Sequence, residues 1–254
     1  LGQIQAAENL WDLTGKEVGS NIRNEKENYK RVQDPYSFRC APQVHGAVRE
    51  IYEHCKKIIE KEINSVTDNP LIFWEDDTVI SGGNFHGQIL SFGLDYLCMG
   101  LAELASISER RISKLVDSRY SGIESFLIKE PGINSGLMMA QVTAAALVSE
   151  NKTLTHPAST DSISTSADKE DHVSMGVWAG EKVSQVIENV KDVFSIEFLC
   201  SFQAIQLREI KDIGMKTQKI YEKFKEIIPE IKKDRDFSID LRNIRENLES
   251  LVKE

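Results

Sequence analysis

The chain has 254 residues, 41% hydrophobic and 28% charged, enough to bury a full core and ordinary for a soluble globular protein. A net charge of -9 argues against nucleic acid and against a polybasic membrane contact. The cysteines at 40, 55, 98 and 200 make no CxxC pair and no zinc or disulfide spacing, which predicts a reducing, cytoplasmic compartment. The most apolar run, Leu137 to Val148, is too short to span a bilayer, and the first residues lack the basic and apolar regions of a signal peptide.

Ile4, Ala7, Leu10, Trp11 and Thr14 recur at helical spacing, so a short amphipathic helix is predicted over residues 3 to 14, with Gly15 as its C-cap. Residues 15 to 32 are polar and aperiodic, a connection long enough to be functional or mobile, and both they and the loop Gln33 to Cys40 that follows are expected to be mobile. Pro35 biases Asp34 toward extended geometry, and a first helical turn near Tyr36 puts Tyr36 and Arg39 on one face. Val44 through Ile63 keep a helical period for about six turns before the breakers Asn64 to Pro70. Leu71–Trp74 and Thr78–Ile80 then read as a small hairpin.

From residue 89 to Val116 apolar residues cover most of a helical circumference, predicting a helix of roughly 45 Å buried on nearly all sides. Leu137 to Val148 is apolar all round, with Ala140, Ala144, Ala145 and Ala146 permitting close approach, and reads as another central helix. A third long pattern runs from Val173 to Ile205. Ile213 to Ile228 is amphipathic and stops at Pro229, and Ser238 or Asp240 is placed to cap a last helix bearing Ile244, Leu248 and Leu251. The prediction is one all-α domain over 1–254, a long-helix bundle with one β-hairpin. Its apolar faces exceed what one subunit would cover, so a homo-oligomer built on a shared bundle is expected.

Three clusters at the mouths of long helices carry reactive groups: Gln33, Tyr36 and Arg39; Asn84-Phe85-His86 behind Gly82-Gly83; and Lys169-Glu170-Asp171-His172. The first offers a guanidinium fork beside a phenol, suited to a carboxylate, though a loop decorated with a surface Arg has the same composition. Glu170 is equally readable as an acid-base group or as an acid at a helix start. His86 and His172 lack a further ligand at metal-site spacing, so no metal is expected.

Val32 through Gly46 with its Gln-Asp-Pro-Tyr-Ser-Phe-Arg-Cys core, Glu62 through Leu71, and Ser81-Gly82-Gly83-Asn84-Phe85-His86-Gly87 resemble the aromatic amino acid ammonia-lyase family. Asn134-Ser135-Gly136, Gln141 through Leu147, Ser149 through Lys152 and Glu170 through Met175 resemble its histidine ammonia-lyase branch. The resemblance runs nearly end to end and implies the ammonia-lyase/fumarase-like bundle. It assigns Arg39 to the substrate carboxylate and Tyr36 and Gln33 to hydrogen bonds around the substrate and the prosthetic electrophile. Phe85 would line the cavity, and Glu170 would face the substrate ring or assist β-proton removal. Tyr36 and Glu170 are thus the implied catalytic pair, with Asn84, His86 and Lys169 as supporting neighbours.

The family's electrophile, a methylidene-imidazolone (MIO), forms from an internal Ala-Ser-Gly, and no such tripeptide occurs in this chain. The resemblance is therefore to the C-terminal half only, which by itself is expected to be inactive and to need the missing N-terminal half. In the family each site draws on three subunits of a tetramer. The resemblance implies that the complete enzyme eliminates ammonia from L-histidine to give urocanate; Asp168-Lys169 stands where the histidine branch usually reads Asn-Gln, and Gln88-Ile89 replaces the commoner acid-Pro pair, so a lyase or aminomutase acting on tyrosine or phenylalanine is the alternative within the class. A non-catalytic helical scaffold or regulatory partner is the alternative from another class.

Overall fold

A computed structural model describes residues 1–14, 32–210 and 213–252. The predicted connection over 15 to 32, apart from Val32, and the Gly15 cap lie outside the described residues. The elements run α1 (Gly2–Thr14), α2 (Tyr36–Arg39), α3 (Ala41–Ile63), β1 (Leu71–Phe73), β2 (Thr78–Ile80), α4 (Gln88–Val116), α5 (Ser118–Ser121), α6 (Met138–Leu154), α7 (Gly176–Arg208), α8 (Met215–Ile227) and α9 (Phe237–Val252). Among the described residues the expected long-helix bundle with a lone hairpin is what forms. In the hairpin Leu71 pairs with Ile80 and Phe73 with Thr78, antiparallel, and Trp74–Asp76 make a 3-10 turn in place of the last predicted strand residue.

Helix α4 is the axis. Small residues on one side let α3 approach it closely: a Cβ at Gly93 would sit 3.3 Å from Ile58, and one at Gly100 3.3 Å from Ile51. Gly93 meets residue 58 and Gly100 meets residue 51, so α3 runs antiparallel to α4. On another side Asp95 binds Lys182 and Ser108 binds Glu197, so α7 runs parallel to α4. Helix α6 returns antiparallel, with Gln141 reaching Glu109 near its start and the Leu154 carbonyl reaching Cys98 at its end. The core formed between them includes Ala105, Ile112, Ala144, Val186, Val193 and Leu199.

Helix α1 crosses α3 at a paired glycine contact. A Cβ on Gly2 or Gly46 would run into the backbone of the other helix, so both positions require the smallest residue.

Two expectations need correcting. Helix α4 is not buried on nearly all sides, because α3, α6 and α7 leave a stripe of Ile89, Phe92, Tyr96 and Met99 exposed. Likewise α6 is not central all round: Ala140, Ala144, Val148 and Asn151 form one buried stripe, while Met139 and Val142 face outward. Apolar composition reports what a helix tolerates on each face, not how many neighbours one chain supplies.

The cap of α9 also differs from expectation. Asp236, not Ser238 or Asp240, accepts from the Ser238 amide (3.0 Å) and hydroxyl (2.6 Å), because the helix begins at Phe237. Asp240 is instead buried against Arg235, at 2.9 Å.

The Asp95–Lys182 pair lies inside this frame, at 4% and 2% exposure. Lys182 Nζ donates to Asp95 Oδ1 at 2.8 Å and to the His156 carbonyl, and the Ser159 amide donates to Asp95 Oδ2 at 2.8 Å. One carboxylate thus ties α4, α7 and the loop that follows α6. By length and composition alone α4 could cross a membrane, but this buried charge pair and the helices packed on it make it a core helix here. Burial pushes the Asp95 carboxyl up; Lys182 and the Ser159 and Ala158 donors outweigh that and hold it below its ordinary 3.8.

Removing one member of such a pair strands the other charge. Lys182→Met is expected to lower the unfolding free energy by about 3–5 kcal/mol in urea titration. Because the folded carboxyl titrates below 3.8, its contribution is complete above that pH and is lost as pH falls through the folded value. Unfolding measured between pH 3 and 7 should therefore show an acid limb that flattens in Asp95→Asn.

Candidate active site

At one end of the bundle Pro35, extended at φ -57° and ψ 156°, opens α2. Its carbonyl accepts from the amides of Phe38 (3.0 Å) and Arg39 (3.1 Å), and a single helical turn results. That turn sorts its side chains. Tyr36, 68% exposed, and Arg39 face outward together, with the guanidinium 4.5 Å from the centre of the phenol ring. The two residues that spacing paired are thus in contact. Arg39 stacks on the ring face, which leaves its outer edge to receive a carboxylate. Gln33 is exposed just ahead of them.

Ser37 and Phe38 turn the other way. Phe38 stacks on Tyr120 at 6.1 Å and 5°, and Tyr120 donates its hydroxyl to Asp34 at 3.3 Å.

Beneath α2 lies a polar network. Arg111 of α4 grips Glu197 of α7 through two nitrogens, one at 2.9 Å, and the Ser108 hydroxyl donates to the same carboxylate at 2.6 Å. Arg111 also donates to the Ser37 carbonyl at 3.5 Å and to His45 Nε2 at 3.4 Å. A guanidinium only donates, so His45 accepts through Nε2 and carries its hydrogen on Nδ1. Burial, then Arg111, with a smaller push from Arg49, holds the His45 imidazole below its ordinary 6.5 against the opposing pull of Glu197. The ring is accordingly neutral at pH 7. Sequence reading does not single out this network; its one available signal is Glu197, a carboxylate between Phe194 and Phe198 in an otherwise apolar helical pattern.

The other expected residues gather at the opposite end, where α4 and α7 begin and α3 ends. Phe85, 52% exposed, walls a cleft of about 410 Å³ with Leu90 and Leu94 of α4 and Ile59 and Glu62 of α3. Asn84 donates its side-chain amide to the Val66 carbonyl, so it pins the cleft's rim. His86 stacks on His172 at 5.7 Å and 13°, and its Nε2 donates to the His172 carbonyl at 3.0 Å. This contact joins the Asn84-Phe85-His86 loop to the Lys169–His172 loop. Lys169 and Glu170 are exposed there, on a turn closed by the Thr165 amide donating to the Glu170 carbonyl at 3.0 Å. Ser166, Ala167 and Asp168 all adopt positive φ in that turn, a conformation that non-glycine residues hold only when surrounding structure imposes it.

The structure therefore brings Tyr36 to Arg39, and Asn84, Phe85 and His86 to the Glu170 loop, but not the two sets to each other. From Gln88 to Arg111 along α4 is about 35 Å at 1.5 Å per residue. No single copy of this chain surrounds one small substrate with all of these groups.

Comparison with known proteins concerns the chain as a whole. The chain is 49% identical over 223 residues to the histidine ammonia-lyase of Natranaerobius thermophilus, covering 87% of this chain and 44% of that protein. Against that of Bacillus cereus strain B4264 it is 52% identical over 219 residues, covering 86% and 43%. Among solved structures, histidine ammonia-lyase from Trypanosoma cruzi superposes with a TM-score of 0.81 at 46% identity, over 85% of this chain and 43% of that one. The phenylalanine aminomutase of Pantoea agglomerans superposes with a TM-score of 0.86 at 31% identity, over 100% and 52%. The chain spans about half the length of the curated relatives it matches. The aromatic amino acid lyase model matches residues 1–226, and the chain belongs to that family.

Proposed function

We propose that this chain is the C-terminal portion of a histidine ammonia-lyase, the complete enzyme eliminating ammonia from L-histidine to leave urocanate. The observation that carries this reading is identity: 49–52% to histidine ammonia-lyases over 86–87% of the chain, against 31% to the phenylalanine aminomutase. The separation of the two residue sets supports a site completed across copies, in which Tyr36 and Arg39 of one copy meet Phe85 and Glu170 of others; the homotetramer is what the family resemblance implies. The exposed stripe on α4 offers an apolar face for that assembly. The four cysteines are free thiols, in keeping with a cytoplasmic setting.

Arg39 holds the substrate carboxylate, its orientation set by the ring beneath it. Tyr36, beside it, is placed to move a proton at the substrate, and Gln33 hydrogen-bonds alongside. Glu170 accepts from the imidazole or takes the β-proton; its charge pairs with a basic ring and would be unpaired against phenyl. Asn84, His86 and Lys169 support that end.

The group that draws electrons from the substrate in this family is MIO, which makes the β-proton and the ammonium able to leave. Its Ala-Ser-Gly precursor is absent from this sequence, so it comes from elsewhere in the assembled enzyme. The side chains here suit the edge of its pocket: a phenol and an aromatic ring, Tyr36 and Phe85, stand uncovered at the two ends of the bundle.

A tyrosine or phenylalanine lyase or aminomutase is the second reading, favoured by backbone likeness to the aminomutase structures, at TM-scores of 0.85 and 0.86. One fold hosts several such reactions, so the ring-facing residue decides. A non-catalytic scaffold is the third.

The chain alone is expected to leave histidine unchanged. Mixed with a chain carrying the N-terminal half, it should give rising urocanate absorbance; assembly without turnover would favour the scaffold. In the complete enzyme Glu170→Gln should slow histidine turnover at least ~100-fold, the usual worth of a placed acid-base group. Unchanged histidine turnover would reject ring recognition by Glu170. Arg39→Lys should cost roughly 10–100-fold in kcat/KM, the value of a lost charge-assisted bidentate contact.

A further inference from the structure

A cavity of about 610 Å³ lies behind α2, between α1, α3, α7 and α8. Its walls are aromatic: Phe38 from α2, Phe198 and Phe202 from α7, Tyr221 and Phe224 from α8. Their rings hold one another in place, with Phe202 5.1 Å from Tyr221 and Phe198 5.4 Å from Phe224. One edge is polar. Arg111 and Glu197 reach the cavity already neutralised by each other. Arg49, also lining it, has no hydrogen bond or ion pair among the described residues. Ser37 lines it too; the residue is 8% exposed and its buried hydroxyl has no hydrogen-bond partner among the described residues.

We propose that this cavity is a second ligand site, on the back of the Tyr36–Arg39 turn, for a small amphipathic acid: one carboxylate on an aryl or alkyl body. The aromatic walls accept the body. Among the described residues lining it, Arg49 supplies the positive charge that no ion pair compensates, and the Ser37 hydroxyl the hydrogen bond that burial otherwise leaves unmade. A single cation and a hydroxyl match a monoanion; a phosphate dianion would keep an uncompensated charge beside Glu197. The volume is in the range of small-molecule sites. Because Ser37 and Phe38 belong to the same four-residue turn as Tyr36 and Arg39, an occupant would press on the turn that holds the substrate-facing pair. The proposal does not rest on the elimination reading, since both its walls and its charge belong to this chain.

The test is isothermal titration of the 254-residue chain with 4-phenylbutyrate and with its uncharged amide. One site is expected, about tenfold tighter for the acid, the factor one charge-assisted hydrogen bond supplies. Arg49→Gln, a change on an exposed side chain, should erase that preference and leave amide binding intact. Ser201→Trp, filling the cavity from α7, should block both ligands while circular dichroism keeps its helical signal. Absence of binding, equal affinity for acid and amide, or an Arg49→Gln chain that still prefers the acid would overturn the proposal. So would loss of binding in Arg39→Gln, which would put the ligand at the outward face of α2 instead. If Ser201→Trp fails to fold, the acid-to-amide comparison with Arg49→Gln still decides.

Discussion

The buried pair of Asp95 and Lys182 sets the register of the molecule. Two charges removed from water cost several kcal/mol each unless their partners are correctly placed. Here Asp95 is met by Lys182 and the Ser159 amide, and Lys182 also reaches the His156 carbonyl. Sliding α7 along α4 by one turn would break both Lys182 contacts together, to Asp95 and to the His156 carbonyl. The register of the two longest helices and the path of the loop leading to Glu170 follow from that one requirement, and the second contact, Ser108 to Glu197, makes the two helices parallel.

With α4 and α7 parallel, both begin at one end of the bundle and finish near the other. The loops at the starting end carry Phe85, His86, Glu170 and His172; the finishing end receives α2 with Tyr36 and Arg39. A rigid helix of about 44 Å keeps these groups apart as firmly as it holds them in place. A site using both sets must be completed across copies, and the uncovered stripe on α4 is where a further helix would find apolar contact.

The single turn of α2 has two faces with different tasks. Tyr36 and Arg39 look outward as a stacked pair, while Ser37 and Phe38 face the Arg111–Glu197 network and the aromatic cavity. Four residues are too few for a stable helix alone. Their geometry depends on the Pro35 carbonyl, on Arg111 reaching the Ser37 carbonyl, and on Phe38 lying against Tyr120. Packing behind the turn therefore governs the aim of the side chains in front of it.

The amino-acid sequence by itself determined the helices and their approximate ends, because apolar spacing, Pro35, Pro70, Pro229 and the glycines act within a few residues. It also determined the Tyr36–Arg39 contact, since three-residue spacing in one helical turn is a local fact, and the family, whose motifs are contiguous. It misjudged the α9 cap by two to four residues, as boundary residues differ by one backbone hydrogen bond, and overstated the burial of α4 and α6, as periodicity counts apolar faces without counting neighbours. Only the tertiary structure decided that the expected site residues fall at two ends, that Arg111, Glu197 and His45 form one network, and that an aromatic cavity backs the turn. The network joins Arg111 to residues 66 and 86 positions away, and the cavity sets α2 and α3 against α7 and α8, so nothing in local spacing encodes which distant side chains a packed bundle will bring face to face.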